Sequence, residues 1–161
     1  MIVNFHKIPH KQKIWTCMGP ILQMRSWRLN GPDFLYGMHM RRTISVIEDD
    51  DLFRRAVVGV IQSFGFHAVG YMDASQFLSS LEQTPTDLIL SDAQMPGMSG
   101  FELLKQIKYM GIQAPIVLMS GSTDLILRRT AIDLGAADYI AKPFEIHELE
   151  SAIHSALRVS A

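Results

Sequence analysis

The sequence predicts an α/β domain in which a five-stranded parallel sheet has helices on both faces. Short apolar segments rich in β-branched residues recur between residues 43 and 141, helical patterns separate them, and glycines end several of those helices. Strands that alternate with helices form parallel sheets, because each crossover returns the chain to the same edge. A chain of 161 residues with 48% hydrophobic and 19% charged residues can bury one substantial core.

Five segments are predicted as strands. The first, third and fourth are almost uninterrupted in apolar residues, as expected for strands that are covered on both faces. The segments are TISVI (43–47), HAVGY (67–71), DLILS (87–91), PIVLM (115–119) and DYIA (138–141).

Helices are predicted between these strands, where apolar residues recur at three and four positions. Capping-box spacing marks two helix starts, at Asp73 with Gln76 and at Ser99 with Glu102. Asp50 and Asp51 fit the start of the first helix better than a ligand role, because acids favour a helix N-terminus. The apolar positions are Phe53, Val57, Val60, Ile61 and Phe64 in the first helix, Leu125, Thr130, Ala131 and Leu134 in the fourth, and Ile146, Leu149, Ile153 and Leu157 in the last, while Gly65, Gly111 and Gly135 mark helix ends.

Charge is distributed unevenly along the chain. Residues 1–42 carry seven Lys/Arg against one acid, a net charge of +6, whereas residues 43–161 carry eight against fifteen, a net charge of −7. The change places a domain boundary near Arg41-Arg42. The single cysteine, Cys17, excludes an internal disulfide framework and fits a reducing compartment, so we expect a cytoplasmic protein.

Residues 1–40 are predicted to be a basic, loosely ordered extension, and residues 41–161 the organised domain. The extension shows no amphipathic period, and its apolar stretch at residues 14–24 is too short to span a bilayer and contains Gly-Pro. A start codon assigned too early is an alternative origin for this segment, because Met38 and Met40 lie just before the domain.

Polar side chains follow four of the predicted strands at the point where each strand ends. They are Glu48 and Asp49 after the first strand, Asp92 after the third, Ser120 after the fourth and Lys142 after the fifth. Ligands of open parallel sheets bind at this edge. Three carboxylates held together need a cation and offer the oxygen ligands that Mg²⁺ prefers. The lysine and the hydroxyl can contact phosphoryl oxygens, which predicts Asp92 as a nucleophile toward phosphorus.

With these motifs in order, residues 43–158 resemble the receiver domain of bacterial two-component response regulators, including the chemotaxis regulator. The acidic pair lies in VIEDDD, the phosphoacceptor segment is DAQMPGMSG, Ser120-Gly121 follows the fourth strand, and KPF at 142–144 follows Tyr139 in the fifth. The resemblance implies a flavodoxin-like, doubly wound (βα)5 fold with strand order 2-1-3-4-5.

The resemblance also implies how the phosphoryl group is received. Asp92 would accept it from a sensor histidine kinase or a histidine phosphotransfer protein. Mg²⁺ would be bound by Glu48, Asp49, Asp92 and the backbone carbonyl of Gln94. The domain would be a phosphoacceptor with slow self-dephosphorylation and no other catalytic activity.

Further residues acquire roles through the same resemblance. Lys142 and Ser120 would contact the phosphoryl group, and the Lys142–Pro143 bond would be cis. Ser120 and Tyr139 would form the switch, and Gln94 and Ser122 would tune the lifetime of the phosphoryl group.

Output is expected through protein contact. With only RVSA after Leu157, a downstream target or a second copy would bind the face formed by helix 4, strand 5 and helix 5, without direct nucleic-acid or membrane binding. The chain could instead be a fragment of a longer DNA-binding regulator, or a receiver-like binding module that is never phosphorylated. A phosphatase of the haloacid dehalogenase type is disfavoured, because it needs a second Asp where this chain has Gln94.

Overall fold

The computed structural model describes residues 41–159, in which five parallel strands form one sheet of order β2-β1-β3-β4-β5. The predicted fold class and strand order are confirmed. The strands are Thr43–Ile47 (β1), His67–Tyr71 (β2), Leu88–Asp92 (β3), Ile116–Ser120 (β4) and Asp138–Ala141 (β5).

Two strands lie one residue further along the chain than the sequence predicts. The ladder continues to the polar residues at the strand ends, because Asp92 lies opposite Met119 and Ser120 lies opposite Ala141. Asp92 and Ser120 are therefore the last residues of β3 and β4 rather than loop residues, and the sheet fixes their backbones.

Five helices cover both faces of the sheet. One buried cluster joins the sheet to α1 and α5, and a second joins it to α2, α3 and α4. The core therefore lies on both sides of the central strands, which explains their uninterrupted apolar sequences. The helices are Asp51–Ser63 (α1), Ala74–Ser80 (α2), Gly100–Tyr109 (α3), Leu125–Asp133 (α4) and Ile146–Val159 (α5).

Side-chain caps define the helix starts. Asp50 caps α1 by accepting a hydrogen bond from the Phe53 N–H, in agreement with its predicted structural role. Ser99 and Glu102 form the full predicted capping box, and the hydrogen bonds from Ser99 lower the pKa of Glu102. At α2, Asp73 accepts from the N–H of Gln76. The reciprocal bond differs, because the Gln76 side chain accepts from the N–H of Met72, the residue before the cap. The predicted glycines Gly65, Gly111 and Gly135 all have positive φ.

The buried face of α4 differs from the predicted one. Leu125 is 77% exposed and Thr130 is also exposed, so they do not face the core. Ala131 is buried, and Leu127 and Leu134 pack partly against the same cluster. These positions are four and three residues apart, so the helix turns this row to the sheet. Leu125 and Ile126 are left exposed on the outer surface of α4.

The N-terminal prediction concerns residues 1–40, which lie outside the described residues. Within residues 41–159, no helix is long and apolar enough to cross a membrane. The longest helix, α5, has 14 residues, whereas a membrane span needs about 20.

Candidate functional site

The candidate site lies at the carboxyl edge of the sheet, where β1, β3, β4 and β5 end side by side. Glu48 follows β1 directly, Asp92 ends β3, Ser120 ends β4, and Lys142 follows β5. All the strands are parallel, so residues that are far apart in sequence meet at one edge.

Three predicted metal ligands converge at this edge. Glu48, Asp49 and Asp92 each offer a carboxylate oxygen, and these oxygens lie within 4.8 Å of one another. Glu48 and Asp92 are buried, whereas Asp49 is exposed. Because one of the three carboxylates is exposed, a cation bound by this group would remain accessible to water or to a phosphoryl oxygen.

Lys142 joins two of these carboxylates. Its Nζ donates to Glu48 Oε2 at 2.6 Å and to Asp92 Oδ2 at 2.7 Å. The ammonium also lies 4.5 Å from the ring centroid of Phe53, whose edge-to-face partner is Phe144. The ammonium group is therefore held between two carboxylates and the Phe53 ring. The Lys142–Pro143 peptide bond is cis, as the resemblance implies.

Glu48 has a perturbed acidity. Burial raises the pKa of Glu48 above its usual value of 4.5, and the negative charge of Asp92 acts in the same direction. The hydrogen bond and ion pair with Lys142, and the hydrogen bond from the Asp50 N–H, lower this pKa, but the net shift is upward. The protein therefore holds this carboxylate in an environment that a cation would stabilise.

The carboxylates fit a divalent cation. With Glu48, Asp49 and Asp92 ionised, three negative charges face the one positive charge of Lys142. The remaining charge and the all-oxygen donor set match what Mg²⁺ requires. The predicted role of the Gln94 carbonyl stays a prediction, since the observed contact of Gln94 is its N–H, which donates to Asp92 Oδ1 at 3.1 Å.

Gly100 is a site residue that the strand-end analysis did not single out. A Cβ at this position would lie 2.2 Å from the backbone oxygen of Asp92 and 3.0 Å from Ala93 Cα. Its N–H donates to the Ala93 carbonyl at 3.2 Å. The start of α3 therefore packs directly on the backbone of the predicted phosphoacceptor. Its sequence signal was the glycine that closes the DAQMPGMSG segment.

The predicted switch residues are connected through one intervening residue. The Ser122 N–H donates to Ser120 Oγ at 3.1 Å, and the Tyr139 hydroxyl donates to the Ser122 carbonyl at 3.0 Å. Ser120 and Tyr139 are both buried. The two hydroxyl groups that the resemblance assigns to the switch thus contact the backbone N–H and the backbone carbonyl of Ser122.

Comparison with known proteins gives consistent relatives. The sequence model of the family "Response regulator receiver domain" matches residues 44–154. Transcriptional regulatory protein FixJ of Bradyrhizobium diazoefficiens is 39% identical over 115 residues, which are 71% of this chain and 56% of that protein. Response regulator protein TodT of Pseudomonas putida is 33% identical over 117 residues, 73% of this chain and 52% of that protein.

Solved structures agree with the sequence relatives. Full-length FixJ from B. japonicum superposes with a TM-score of 0.69 at 38% identity, covering 74% of this chain and 59% of that one. The chain spans little more than half the length of the curated relatives named above. Since the family model covers most of the chain and the five-stranded fold agrees with it, the protein belongs to the response regulator receiver domain family, the signalling modules of two-component systems.

Proposed function

We propose that this protein is a phosphorylation-activated switch that accepts a phosphoryl group on Asp92 from a phosphohistidine. The donor would be a sensor histidine kinase or a histidine phosphotransfer protein, acting in the cytoplasm. One observation carries the proposal: a mostly buried carboxylate, Asp92, shares Lys142 with Glu48 at the edge where the metal-ligand set converges.

The chemistry follows from the side chains. An Asp92 carboxylate oxygen forms a bond to phosphorus, the P–N bond to the donor histidine breaks, and its electron pair remains on the imidazole. Lys142 supplies a positive charge to a phosphoryl oxygen, and Ser120 supplies a hydroxyl donor to another. A bound Mg²⁺, held by Glu48, Asp49 and Asp92, would neutralise negative charge on the carboxylates and on the phosphoryl oxygens.

The signal would leave through the face formed by α4, β5 and α5. When Ser120 Oγ turns to a phosphoryl oxygen, it no longer accepts from the Ser122 N–H, and the Ser122 carbonyl that holds Tyr139 is released with it. The nearby face exposes Leu125 at 77% and Ile126 at 73%. A downstream protein or a second copy of the chain would bind there when the phosphoryl group favours the second state.

A labelling experiment tests the proposal. Purified protein with Mg²⁺ and acetyl phosphate should gain one base-labile phosphoryl group, located at Asp92 by peptide mass spectrometry. Asp92→Asn should remain unlabelled, and EDTA should abolish labelling of the unsubstituted protein. If Asp92→Asn labels to the same extent, the nucleophile is another residue. If the unsubstituted protein also gains no phosphoryl group, it acts as a binding module that is not phosphorylated.

The second candidate is that this chain is one part of a longer DNA-binding regulator. It is favoured by the relatives, since FixJ is named as a transcriptional regulatory protein and the chain matches only 56% of it. The discriminating observation is the reading frame downstream of Ala161 in the source genome. A continuous frame that encodes a further domain would support this candidate, and a stop codon would support output by protein contact.

A further inference from the structure

Arg54 lies beside the metal-ligand residues without being one of them. From the first turn of α1, its Nη1 donates to the backbone carbonyls of Glu48 at 2.7 Å and Asp49 at 3.5 Å. Its Nη2 pairs with Asp51 at 2.5 Å. Only 15% of the side chain is exposed. One guanidinium therefore contacts the main chain of two of the three carboxylate residues and the helix that follows them.

A glycine in β2 provides the space for this arginine. A Cβ at Gly70 would lie 3.1 Å from Arg54 Cγ, 3.2 Å from Arg54 Cδ and 3.3 Å from a methyl group of Val58. Glycine weakens a strand interior and often marks a close approach of another group. Here the approaching group is the aliphatic stem of Arg54. The residue after Gly70 also holds the turn that follows β1, because the Glu48 N–H donates to the Tyr71 carbonyl.

We propose that Arg54 is a positioning residue for the divalent cation, and that Gly70 belongs to the same arrangement. By holding the carbonyls of Glu48 and Asp49, the guanidinium fixes the turn between β1 and α1 so that both carboxylates face Asp92. This inference rests on the proposed Mg²⁺-dependent function. Partners that orient metal ligands affect affinity about 10–100-fold when they are removed.

Simple electrostatics predicts the opposite sign, which makes the proposal testable. Arginine is a cation, and removing a positive charge from the neighbourhood of a divalent metal should strengthen metal binding. A positioning role predicts weaker binding, because the ligands lose their common orientation. The direction of the change in affinity therefore separates the two effects.

The next residue in the chain supplies a matched control. Arg55 pairs with the other oxygen of Asp51 at 3.0 Å but is 76% exposed. Arg55→Met and Arg54→Met remove the same charge from the same helical turn, and only Arg54→Met removes the contacts with the two carbonyls. Methionine retains an aliphatic chain in both cases.

The measurement is direct Mg²⁺ titration of the full chain, by calorimetry or by backbone amide shifts, without a phosphodonor. Arg54→Met should raise the Mg²⁺ dissociation constant about tenfold or more, whereas Arg55→Met should leave it unchanged or lower it. If Arg54→Met binds Mg²⁺ as tightly as Arg55→Met, the positioning role is wrong. If the unsubstituted chain binds no Mg²⁺, both this inference and the proposed function fail.

Two further variants keep the test decisive if Arg54→Met folds poorly, which circular dichroism would show. Arg54→Lys should give an intermediate dissociation constant, because an ammonium cannot match the fork of the guanidinium. Gly70→Ala should weaken Mg²⁺ binding in the presence of Arg54 and have no further effect in Arg54→Met. An equal effect of Gly70→Ala in both backgrounds would show that Gly70 acts independently of Arg54.

Discussion

At the residue scale, Glu48 combines burial with a charge that the fold only partly neutralises. Its pKa is raised chiefly by burial, despite the ion pair with Lys142. A carboxyl group whose pKa is higher in the folded state stabilises the fold while it is protonated. That contribution is lost as the pH rises from 4.5, the usual value, through the raised folded pKa. Above its raised pKa, the ionised Glu48 therefore destabilises the metal-free protein.

Glu48→Gln should consequently increase the stability of the metal-free protein at neutral pH. We expect its melting temperature in EDTA to exceed that of the unsubstituted chain by a few degrees at pH 7. The difference should shrink as the pH falls toward 4.5 and vanish below it. Added Mg²⁺ should raise the melting temperature of the unsubstituted chain more than that of the variant, because it binds the folded site. Calorimetry over this pH range checks the prediction, and a pH-independent difference would contradict it.

At the element scale, the sequence predicted the elements themselves better than their ends and buried faces. The caps at Asp50 and Ser99 are local, so residues a few positions apart determine them. The end of β3 depends on its ladder with β4, and the buried face of α4 depends on where that helix meets the sheet. Both are set by residues distant in sequence, so propensity and period could not place them.

The same distinction applies to the site. Glu48, Asp49, Asp92, Ser120 and Lys142 could be predicted because each follows a strand, and parallel strands end at one edge. Gly100 and Arg54 act through a close approach and through contacts with carbonyls. The DAQMPGMSG segment marks the glycine, but neither its distance to the Asp92 backbone nor the contacts of Arg54 can be read from the sequence.

Gly100→Ala tests the contact between α3 and β3, which carries the proposed phosphoacceptor. The new Cβ would overlap the Asp92 carbonyl, so the backbone must move, and we expect a loss of about 1–3 kcal/mol in the free energy of unfolding. Labelling of Asp92 should slow as well, because its backbone is displaced.

Gly59→Ala is the matched control for this prediction. Gly59 lies inside α1, and apart from the adjacent backbone of that helix no atom of residues 41–159 lies within 4 Å of the added Cβ, so alanine should stabilise the protein by about 0.5–1 kcal/mol. Urea unfolding of both variants gives the comparison. Equal stability of Gly100→Ala and the unsubstituted chain would show that the helix can shift freely away from β3.

At the scale of the whole molecule, the hydrogen bonds through Ser122 predict that the response of association to phosphorylation can be lost while Asp92 is still labelled. Ser120→Ala should still be labelled on Asp92, since Asp92, the metal ligands and Lys142 remain. It should lose most of the phosphorylation-dependent change in self-association or partner binding. Tyr139→Phe should weaken the same response by removing the hydroxyl that contacts Ser122, while leaving Mg²⁺ affinity nearly unchanged.

Association with and without beryllofluoride, measured by sedimentation, checks these variants. Tyr71→Phe is the control, because its buried hydroxyl has no hydrogen-bond partner among the described residues. Tyr71→Phe should respond as the unsubstituted chain does. Normal responses from Ser120→Ala and Tyr139→Phe would rule out the switch.

The organised domain should also fold without the basic N-terminal residues. Residues 41–159 contain two buried clusters that cover both faces of the sheet. A chain that starts at Met40 should therefore melt within a few degrees of the full chain and be labelled at the same rate. A loss of several kcal/mol, out of the roughly 5–15 kcal/mol typical of a domain, would show that residues 1–40 contribute to folding.

The position of Ser122 has a consequence for how such a protein can diversify. Its backbone N–H contacts Ser120 and its backbone carbonyl contacts Tyr139, whereas its side chain accepts a hydrogen bond from the Asp124 N–H. Every amino acid except proline has the same N–H and carbonyl, so both contacts can form whichever other side chain stands there. If the side chain of Ser122 tunes the lifetime of the phosphoryl group, as the resemblance implies, a mutation at this position would change the duration of the signal and leave the two backbone contacts of the proposed switch in place.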